Sequence, residues 1–306
     1  MSTAVQIPAR TMVAAVLDAP GHAALRRQPL PDPADGDVMV RLQGCGVCVS
    51  DLPLWEGRRW FDYPLQPGAP GHEGWGVDVA TGRRVAVLSD RAYADYAVVG
   101  RERVVTLPSE LDDLPFPGEP LGCVLNVFSR SGVRAGSTVA VVGAGFLGLL
   151  LVQLCVGAGA RTLAFSRREH GLELARSFGA ETPATPADES CDVVIEAAGV
   201  QDTLDLATRL TRVRGRLVIA GYHQDGRRAV DMQLWNWRGL DVVNAHERDP
   251  AVYIEGIRAA VAAVVEGQLD PRPLYTHVLP LERLGEAFEL ARTRPEGFVK
   301  ALVVTS

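Results

Sequence analysis

The 306-residue chain lacks the features that define several classes of protein. No apolar run approaches the roughly 18 residues that a membrane-spanning helix requires. Its first twenty residues lack the basic and then apolar pattern of a secretory signal peptide. The net charge of −6 gives no reason to expect a nucleic acid or an acidic membrane surface as a partner. We therefore predict a cytoplasmic protein.

Cysteine and lysine are both scarce. The five cysteines lie scattered at positions 45, 48, 123, 155 and 191. An odd and scattered set in a large chain argues against a disulfide framework. The pair in G-C-G-V-C-V-S-D (44–51) therefore has other interpretations, among them a redox pair, half of a zinc site, or packed thiols. We attribute the single lysine, Lys300, to codon bias rather than to mechanism.

The pattern of apolar, Gly and Pro residues differs between the first part of the chain and the part after about residue 137. Residues 12–105 consist of short apolar runs separated by Gly and Pro, which is typical of β-strands joined by turns. From about residue 137, short apolar strands alternate with helices, which predicts a parallel, doubly wound sheet. We predict an α/β protein in which a Rossmann domain is inserted in a β-rich domain. The predicted bounds are 125–268 for the inserted domain, and 1–124 and 269–306 for the two parts of the other.

Individual elements of the alternating part can also be predicted. The predicted strands are 138–143, 161–166, 191–199, 215–222 and 239–246. The predicted helices are 146–159, 168–180, 202–211 and 251–267. The aromatic-rich run M-Q-L-W-N-W-R-G (232–239) has three possible roles: a ligand contact, a subunit contact or core packing.

A glycine-rich turn follows the first of these strands and opens a helix. Its sequence, V-V-G-A-G-F-L-G, contains G-x-G-x-x-G at the strand-turn-helix junction that dinucleotide binding requires. Gly143 allows the tight turn, Gly145 lets a pyrophosphate approach the backbone, and Gly148 permits close packing of helix on strand. The helix N-terminus supplies N–H groups to the phosphates. The predicted coenzyme-binding residues of this turn are Gly143, Gly145, Phe146, Leu147 and Gly148. The alternative is a glycine-rich turn without a ligand.

The end of the second strand predicts which coenzyme binds. An acidic residue at this place would bind the free 2′-hydroxyl of NAD. The chain has Ser166, Arg167 and Arg168 instead. Two guanidinium groups suit a 2′-phosphate, which they bind through charge-assisted hydrogen bonds. We expect NADPH in preference to NADH; the alternative is that the arginines form the solvated start of the next helix.

Three more motifs precede the glycine-rich turn. They are C-G-V-C-V-S-D (45–51), P-G-H-E-G (70–74) and G-E-P-L-G-C (118–123). In this order the motifs resemble those of the zinc-dependent medium-chain alcohol dehydrogenases, in particular the branch of sorbitol and threonine dehydrogenases. The resemblance covers nearly the whole chain. It implies that the β-rich domain is of the GroES-like type.

The resemblance implies one catalytic zinc ion per chain. Its ligands would be Cys48, His72 and Glu119, a set that leaves one tetrahedral position open. Cys45 would be a packed thiol, while Cys123 is a rival for the third ligand position. Relatives often carry a lobe with four cysteines for a structural zinc, and residues 85–96 of this chain contain no cysteine.

The resemblance also implies roles for residues around the metal. Ser50 corresponds to the hydroxyl that takes the alcohol proton, and Asp51 to a carboxylate that orients the ligand histidine. Glu73 corresponds to an outer glutamate that can approach the metal from behind. Pro53 stands where many relatives have a relay histidine, so the proton must leave by another path.

His246, in N-A-H-E-R (244–248), is a candidate for that other path. It follows the strand G-L-D-V-V at the carboxyl end of the predicted sheet, where open α/β folds bind ligands. Imidazole titrates near neutral pH and can therefore move a proton. The alternative is that His246 only caps the strand end through a backbone hydrogen bond.

The activity implied by the resemblance is hydride transfer between NADP(H) and an alcohol or carbonyl substrate. A polyol, an amino alcohol or a cyclic sugar-like compound is expected, in a bacterial biosynthetic tailoring step, and the protein is expected to be a homodimer or homotetramer. Two other functions stay open. One is a zinc-free NADPH-dependent enone or quinone reductase, and the other is a non-catalytic NADPH-binding protein.

Overall fold

The computed structural model describes residues 11–305, which form two compact units. The first, here called the β-rich unit, contains the described residues up to Gly122, then Tyr253–Val261 and the described residues from Arg272 onward. The second, the α/β unit, contains Cys123–Val252 and Ala262–Pro271. The parts of the predicted domains at residues 1–10 and 306 lie outside the described residues, as does the first half of the segment assessed for a signal peptide.

Strands predominate before residue 118, and helices alternate with strands after it. The strands are β1 (Thr11–Ala19), β2 (His22–Pro29), β3 (Asp37–Gly46), β4 (Glu73–Asp78), β5 (Arg84–Val87), β6 (Tyr96–Gly100), β7 (Val104–Thr106), β8 (Thr138–Val142), β9 (Arg161–Phe165), β10 (Cys191–Glu196), β11 (Thr211–Ile219), β12 (Asp241–Asn244), β13 (His277–Pro280) and β14 (Ala301–Val304). The α-helices are α1 (Leu52–Trp55), α2 (Gly118–Ser131), α3 (Phe146–Gly157), α4 (Glu169–Ser177), α5 (Gln201–Leu210), α6 (Met232–Arg238), α7 (Pro250–Val265) and α8 (Leu284–Thr293). Within residues 11–305, no helix combines the length and the apolar character needed to cross a membrane.

A seven-stranded sheet lies at the centre of the described part of the β-rich unit. Its strand order is β13-β14-β3-β4-β5-β7, and β6 pairs with β3. The long strand β3 is antiparallel to β4, and Gly46 at the end of β3 lies opposite Glu73 at the start of β4. A buried cluster that includes Leu42, Tyr93 and Phe288 packs against these strands. The register brings the segment that leaves β3 next to the segment that enters β4.

The α/β unit contains a parallel five-stranded sheet in the described residues. The strand order is β12-β11-β10-β8-β9, and every neighbouring pair is parallel. Strand β8, which is flanked by a strand on each side, is almost wholly buried, as expected where a parallel sheet is covered on both faces. The predicted fold class, a dinucleotide-binding α/β domain together with a β-rich domain, is confirmed.

The structure defines one segment that the sequence left open and departs from several of the predicted bounds. The aromatic-rich run forms the short helix α6, which ends where Gly239 adopts a left-handed conformation. Strand β11 begins at Thr211, before the predicted residue 215, through an irregular stretch in which Arg214 has a positive φ. Residues 253–261 of α7 group with the β-rich unit, although the predicted bound places them in the inserted domain. The reason is close packing on α2, because a Cβ added at Gly122 would lie 2.8 Å from the Ile257 nitrogen.

Candidate active site

Three potential metal ligands lie together where β3 ends and β4 begins. Cys48 follows β3, His72 immediately precedes β4, and Glu73 is the first residue of β4. Each offers one ligand atom within 4.8 Å of the other two, and theirs is the one such group among residues 11–305. The antiparallel register of β3 and β4 explains how residues distant in sequence come together.

The imidazole of His72 is oriented by its Nδ1 side. Nδ1 lies 3.0 Å from the Pro70 carbonyl oxygen and 3.3 Å from Asp51 Oδ1. Because a carbonyl oxygen only accepts, Nδ1 carries a proton, and Nε2 is the nitrogen left for a metal. The predicted orienting role of Asp51 fits this contact. Tyr93 in turn donates its hydroxyl to the buried Asp51 carboxylate at 3.2 Å.

The pKa values of this pair follow from burial and from mutual attraction. Burial raises the pKa of Asp51, although the neighbouring His72 opposes the rise. Burial by itself lowers the pKa of His72, but Asp51 and Cys48 outweigh it, and the net pKa of His72 is raised. Asp51 and Cys48 therefore favour the protonated imidazole of His72 in the metal-free protein.

Glu73 and Lys300 form a buried ion pair beside this group. Lys300 Nζ lies 2.6 Å from Glu73 Oε1, and the side chains are 6% and 0% exposed. Burial by itself lowers the pKa of Lys300, but the negative charge of Glu73, with smaller contributions from Cys48 and Glu119, outweighs burial, and the net pKa of Lys300 is raised. The other carboxylate oxygen, Oε2, is buried without a hydrogen-bond partner among the described residues. A cation beside Cys48 and His72 would satisfy this orphaned oxygen, so the donor set fits a metal ion.

Ser50 lies next to the predicted thiolate ligand. Its hydroxyl donates to Cys48 Sγ at 3.2 Å, in the 3₁₀ turn Val49–Asp51 that follows β3. Pro53 is buried in the first turn of α1 and offers no proton path. The geometry thus places a hydroxyl, a thiol and an imidazole within one short stretch of surface.

The predicted third ligand, Glu119, lies outside the compact group. It stands in the first turn of α2, and its carboxylate is among the charges that raise the pKa of Lys300. Cys123 follows four residues later in the same helix. Cys45 is fully buried, with its thiol donating to the Gly46 carbonyl oxygen at 3.3 Å, as expected of a packed cysteine.

The glycine-rich turn in the α/β unit has the form that the sequence predicts. Gly143 has a φ of +114°, which favours glycine. A Cβ added at Gly148 would lie 1.8 Å from the Gly143 carbonyl oxygen, so helix and strand require glycine there. At Gly145 a Cβ would meet no described atom within 4 Å. The space above Gly145, beside the N-terminus of α3 at Phe146 and Leu147, is therefore open to a phosphate.

Ser166, Arg167 and Arg168 follow β9 at the same edge of the sheet. The Ser166 hydroxyl accepts the N–H of Arg168 at 3.1 Å, which closes a short turn before α4. Arg167 is 85% exposed, and its guanidinium lies 3.9 Å from an Asp202 oxygen, a weak contact in water. Its guanidinium remains accessible to an incoming phosphate.

His246 is exposed just beyond β12. Its carbonyl oxygen accepts from the Arg130 guanidinium at 3.4 Å, and its ring lies 6.0 Å from that of Tyr222. Partial burial lowers the pKa of His246, and the Arg248 charge lowers it further, while Glu247 opposes them. Glu247 Oε1 accepts the N–H groups of the two following residues, so this oxygen serves the backbone.

Sequence reasoning missed two contributors to the metal-ligand group. Codon bias does not account for Lys300, because this one lysine of the chain is buried against Glu73. A lysine retained among thirty arginines was a usable signal. Tyr93 reaches Asp51 only through the tertiary fold, and no local motif marks it.

Comparison with known proteins supports the same interpretation. A family profile described as "Zinc-binding dehydrogenase" matches residues 147–261. Sorbitol dehydrogenase of Ovis aries is 25% identical, over 93% of this chain and 94% of its own length. L-threonine 3-dehydrogenase of Bacillus velezensis is 24% identical, over 88% of this chain and 92% of its own length. A solved structure from Sinorhizobium meliloti 1021, described as a zinc-binding dehydrogenase bound to NADP, is 27% identical with a TM-score of 0.81, over 96% of this chain and 99% of that one.

Fold and site together define an oxidoreductase of the alcohol dehydrogenase type. The family profile and these relatives support a place for the chain in the zinc-dependent medium-chain alcohol dehydrogenase family. Within that family it is similar to the sorbitol and threonine dehydrogenases, as the order of its motifs predicts.

Proposed function

We propose that the protein is an NADP-preferring, zinc-dependent alcohol dehydrogenase or carbonyl reductase. It moves a hydride between the nicotinamide ring and the carbon that bears the substrate oxygen. The observation that carries this proposal is the grouping of Cys48, His72 and Glu73, with the Ser50 hydroxyl beside it. The glycine-rich turn supplies the coenzyme site that hydride transfer requires.

The proposed metal is one zinc ion per chain. A thiolate, an imidazole and a carboxylate are ligands that zinc takes in catalytic sites. When bound, zinc supplies a Lewis acid for the substrate oxygen. Cys48 and the Nε2 atom of His72 would hold it, while Asp51 keeps the imidazole in the required tautomer. The absence of cysteine from residues 85–96 leaves no ligand set for a structural zinc there.

Two glutamates compete for the third ligand position. We propose Glu119 as the ligand and Glu73 as the outer carboxylate, because Lys300 already balances the charge of Glu73. The competing assignment rests on the short distances within the Cys48–His72–Glu73 group.

Ser50 is the proposed group that exchanges a proton with the substrate. A hydroxyl accepts the alcohol proton during oxidation and returns it during reduction. Its contact with Cys48 Sγ holds it beside the metal ligands. Since Pro53 offers no path onward, the proton leaves through water or through the His246 region.

The preference for NADP rests on the two arginines after β9. Residues 166–168, which follow the strand, include no carboxylate to bind a 2′-hydroxyl. The guanidinium of Arg167 is exposed and can bind a 2′-phosphate. Doing so would break only its weak, solvent-exposed contact with Asp202. The Sinorhizobium meliloti relative bound to NADP is consistent with this proposal.

Replacing Arg167 with alanine should weaken NADP binding and leave NAD binding nearly unchanged. The expected loss is about 1–3 kcal/mol, the range for a charge-assisted hydrogen bond. Titration of the coenzymes against each variant, followed by fluorescence, measures the effect. Arg161→Ala is the control, because Arg161 is an exposed arginine at the opposite end of the same strand. Equal weakening of both coenzymes in Arg167→Ala would show that the 2′-phosphate assignment is wrong.

His246 is proposed as part of the proton path. Its pKa lies below the ordinary value of 6.5, so the neutral, proton-accepting form prevails at pH 7. His246→Ala should lower turnover about 10²-fold, the low end of what a positioned acid or base contributes. It should also remove the ionisation on the acid side of the pH–rate profile, below about pH 6.5. If the pH–rate profiles of the parent and the variant superimpose, His246 has no part in the proton path and only caps the end of the strand.

The proposed substrates are polyols, amino alcohols and cyclic sugar-like alcohols or ketones, in a bacterial biosynthetic tailoring step. The names of the relatives, sorbitol and threonine dehydrogenases, support the first two classes. A turnover screen over these classes with NADPH and NADH, followed by coenzyme absorbance, tests the proposal. Turnover restricted to enones or quinones would favour the zinc-free reductase. Coenzyme binding without any turnover would favour a non-catalytic protein. The cytoplasmic location and the homodimer or homotetramer stay predictions.

A further inference from the structure

A buried carboxylate joins two loops at the carboxyl end of the parallel sheet. Glu196, the last residue of β10, is fully buried. Its Oε1 accepts the N–H groups of Ala198 and Gly199 at 2.9 and 2.7 Å, and the Thr203 hydroxyl at 2.7 Å. Its backbone oxygen accepts the N–H groups of residues 220–221, which follow β11. The loops after β10 and β11 therefore share one hydrogen-bonding centre.

His223 connects this carboxylate to an arginine. His223 Nε2 lies 3.0 Å from Glu196 Oε2, and Arg228 Nε donates to His223 Nδ1 at 2.9 Å. A guanidinium only donates, so Nδ1 must accept, and the ring proton must lie on Nε2. His223 is thus a neutral imidazole in one fixed tautomer, with 16% of its side chain exposed. The metal ligands and the proton path described above make no use of it.

Arg228 closes the network back onto the first loop. Its Nη2 donates to the Gly199 carbonyl oxygen at 3.0 Å and to the carboxylate of Asp225. Two glycines let the loops approach this closely, since a Cβ added at Gly221 would lie 2.3 Å from the Gly199 nitrogen. Gly199 itself has a φ of +77°. The two loops consequently form a single hydrogen-bonded body.

Strand order shows which part of a bound coenzyme this body would face. β8, whose carboxyl end carries the glycine-rich turn, lies between β9 and β10. With the pyrophosphate on that turn and the adenosine ribose at residues 166–168 after β9, the adenosine half lies on the β9 side. The nicotinamide half would then extend over the ends of β10 and β11. The loop after β10 borders the turn directly, because a Cβ added at Gly143 would lie 3.0 Å from Ala198 Cβ.

We propose that His223 is a positioning residue for the nicotinamide half of the coenzyme. Held between Glu196 and Arg228, it fixes the backbone after β11. The adjacent Tyr222 is 60% exposed there, with its ring 6.0 Å from that of His246. Loss of the anchor loosens the surface that faces the nicotinamide and leaves the surface that faces the adenosine unchanged. This inference rests on the proposed coenzyme function.

The test compares binding of the whole coenzyme with binding of its adenosine half alone. Dissociation constants for NADPH and for 2′,5′-ADP, which represents the adenosine half, are measured for the parent, His223→Ala and His223→Gln. His223→Ala should weaken NADPH binding about tenfold, the equivalent of one hydrogen bond to a buried charged group. Binding of 2′,5′-ADP should not change. His223→Gln should recover most of the loss, because an amide can both donate to Glu196 and accept from Arg228.

A control and a spectroscopic readout separate positioning from general damage. Arg212→Ala breaks an ion pair with Asp192 at the opposite end of the same two strands, and should alter neither dissociation constant. The tautomer is read by NMR of protein labelled with ¹⁵N at its six histidines. The His223 signal is the one that disappears in His223→Ala, and it should show a neutral ring with its proton on Nε2.

Each outcome bears on a different claim. Equal loss of NADPH and 2′,5′-ADP affinity in His223→Ala, or no loss of either, would overturn the positioning role. So would a ring proton found on Nδ1. A parent protein that binds neither ligand would overturn the proposed coenzyme function itself, and the positioning role with it. If the parent binds NADH instead, the same division is measured with NADH and 5′-ADP.

Discussion

Replacing His72 with alanine should remove the bound metal and nearly all turnover, while the affinity for NADPH stays unchanged. His72 belongs to the β-rich unit, whereas the glycine-rich turn and the arginine pair belong to the α/β unit. Losing an outer hydrogen-bond partner of a metal ligand typically weakens metal binding about 10–100-fold. Loss of the ligand itself should exceed that range. Cys48→Ala should behave in the same way.

Metal content after dialysis, together with NADPH titration, measures this prediction. His22→Ala is a suitable control, because His22 is an exposed histidine of the same unit and pairs with Asp18. It should retain both metal and turnover. A His72→Ala protein that still holds one zinc ion per chain would show that His72 is not a ligand.

The third ligand is decided by three further variants. Glu119→Ala should lose zinc, with a milder effect if Cys123 can replace the carboxylate. Retention of zinc in Glu119→Ala with loss in Cys123→Ala would make the cysteine the ligand. If Glu73→Gln loses zinc while both other variants keep it, Glu73 binds the metal directly. Because Glu73→Gln also removes the partner of Lys300, its fold must be checked separately.

Replacing Lys300 with methionine should destabilise the metal-free protein by about 3–5 kcal/mol, the usual cost of removing one partner of a buried ion pair. The change leaves the Glu73 carboxylate fully buried. Its Oε1 loses the contact with Lys300, and its Oε2 has no hydrogen-bond partner among the described residues. Urea unfolding of the apoprotein at pH 8, followed by tryptophan fluorescence and calorimetry, measures the free energy of unfolding. The double variant Lys300→Met/Glu73→Gln should recover much of the loss, since it removes both charges.

The pH chosen for that experiment follows from the sign of the Lys300 shift. Its folded pKa is raised above 10.5, so its contribution to stability is fully present below about pH 10.5 and is lost as the pH rises through the folded pKa. At pH 8 the full contribution is measured. Arg283→Met is the matched control, because it breaks an exposed ion pair with Glu286 and should cost no more than about 1 kcal/mol. A Lys300→Met protein as stable as this control would contradict the buried-pair argument.

Much of the α/β unit could be predicted from local sequence. Strands β8 and β9 and helix α3 carry their own periodicity and turn residues, and they were predicted to within a few residues. The coenzyme turn followed because glycine is required at Gly143 and Gly148 by local geometry. Helix α6 was not predicted, because its aromatic residues suit a core, a ligand contact or a helix face equally well.

The metal-ligand group could not be derived from spacing, because tertiary register creates it. Cys48 and His72 meet through the pairing of β3 with β4, and no local pattern encodes that distance. Family resemblance identified both residues, but the ion pair of Glu73 with Lys300 required the return of β14 beside β3. The Glu196–His223–Arg228 network was missed for the same reason, since it joins loops after two different strands.

The central claim is that turnover depends on zinc held by Cys48 and His72. The most direct test is turnover of one preparation measured as purified, after removal of metal by a chelator, and after zinc is restored. The account predicts about one zinc ion per chain at the start, since these residues form one ligand group in the described chain. It predicts loss of turnover with the metal, unchanged NADPH binding, and recovery with zinc. Full turnover by the metal-free protein would contradict it.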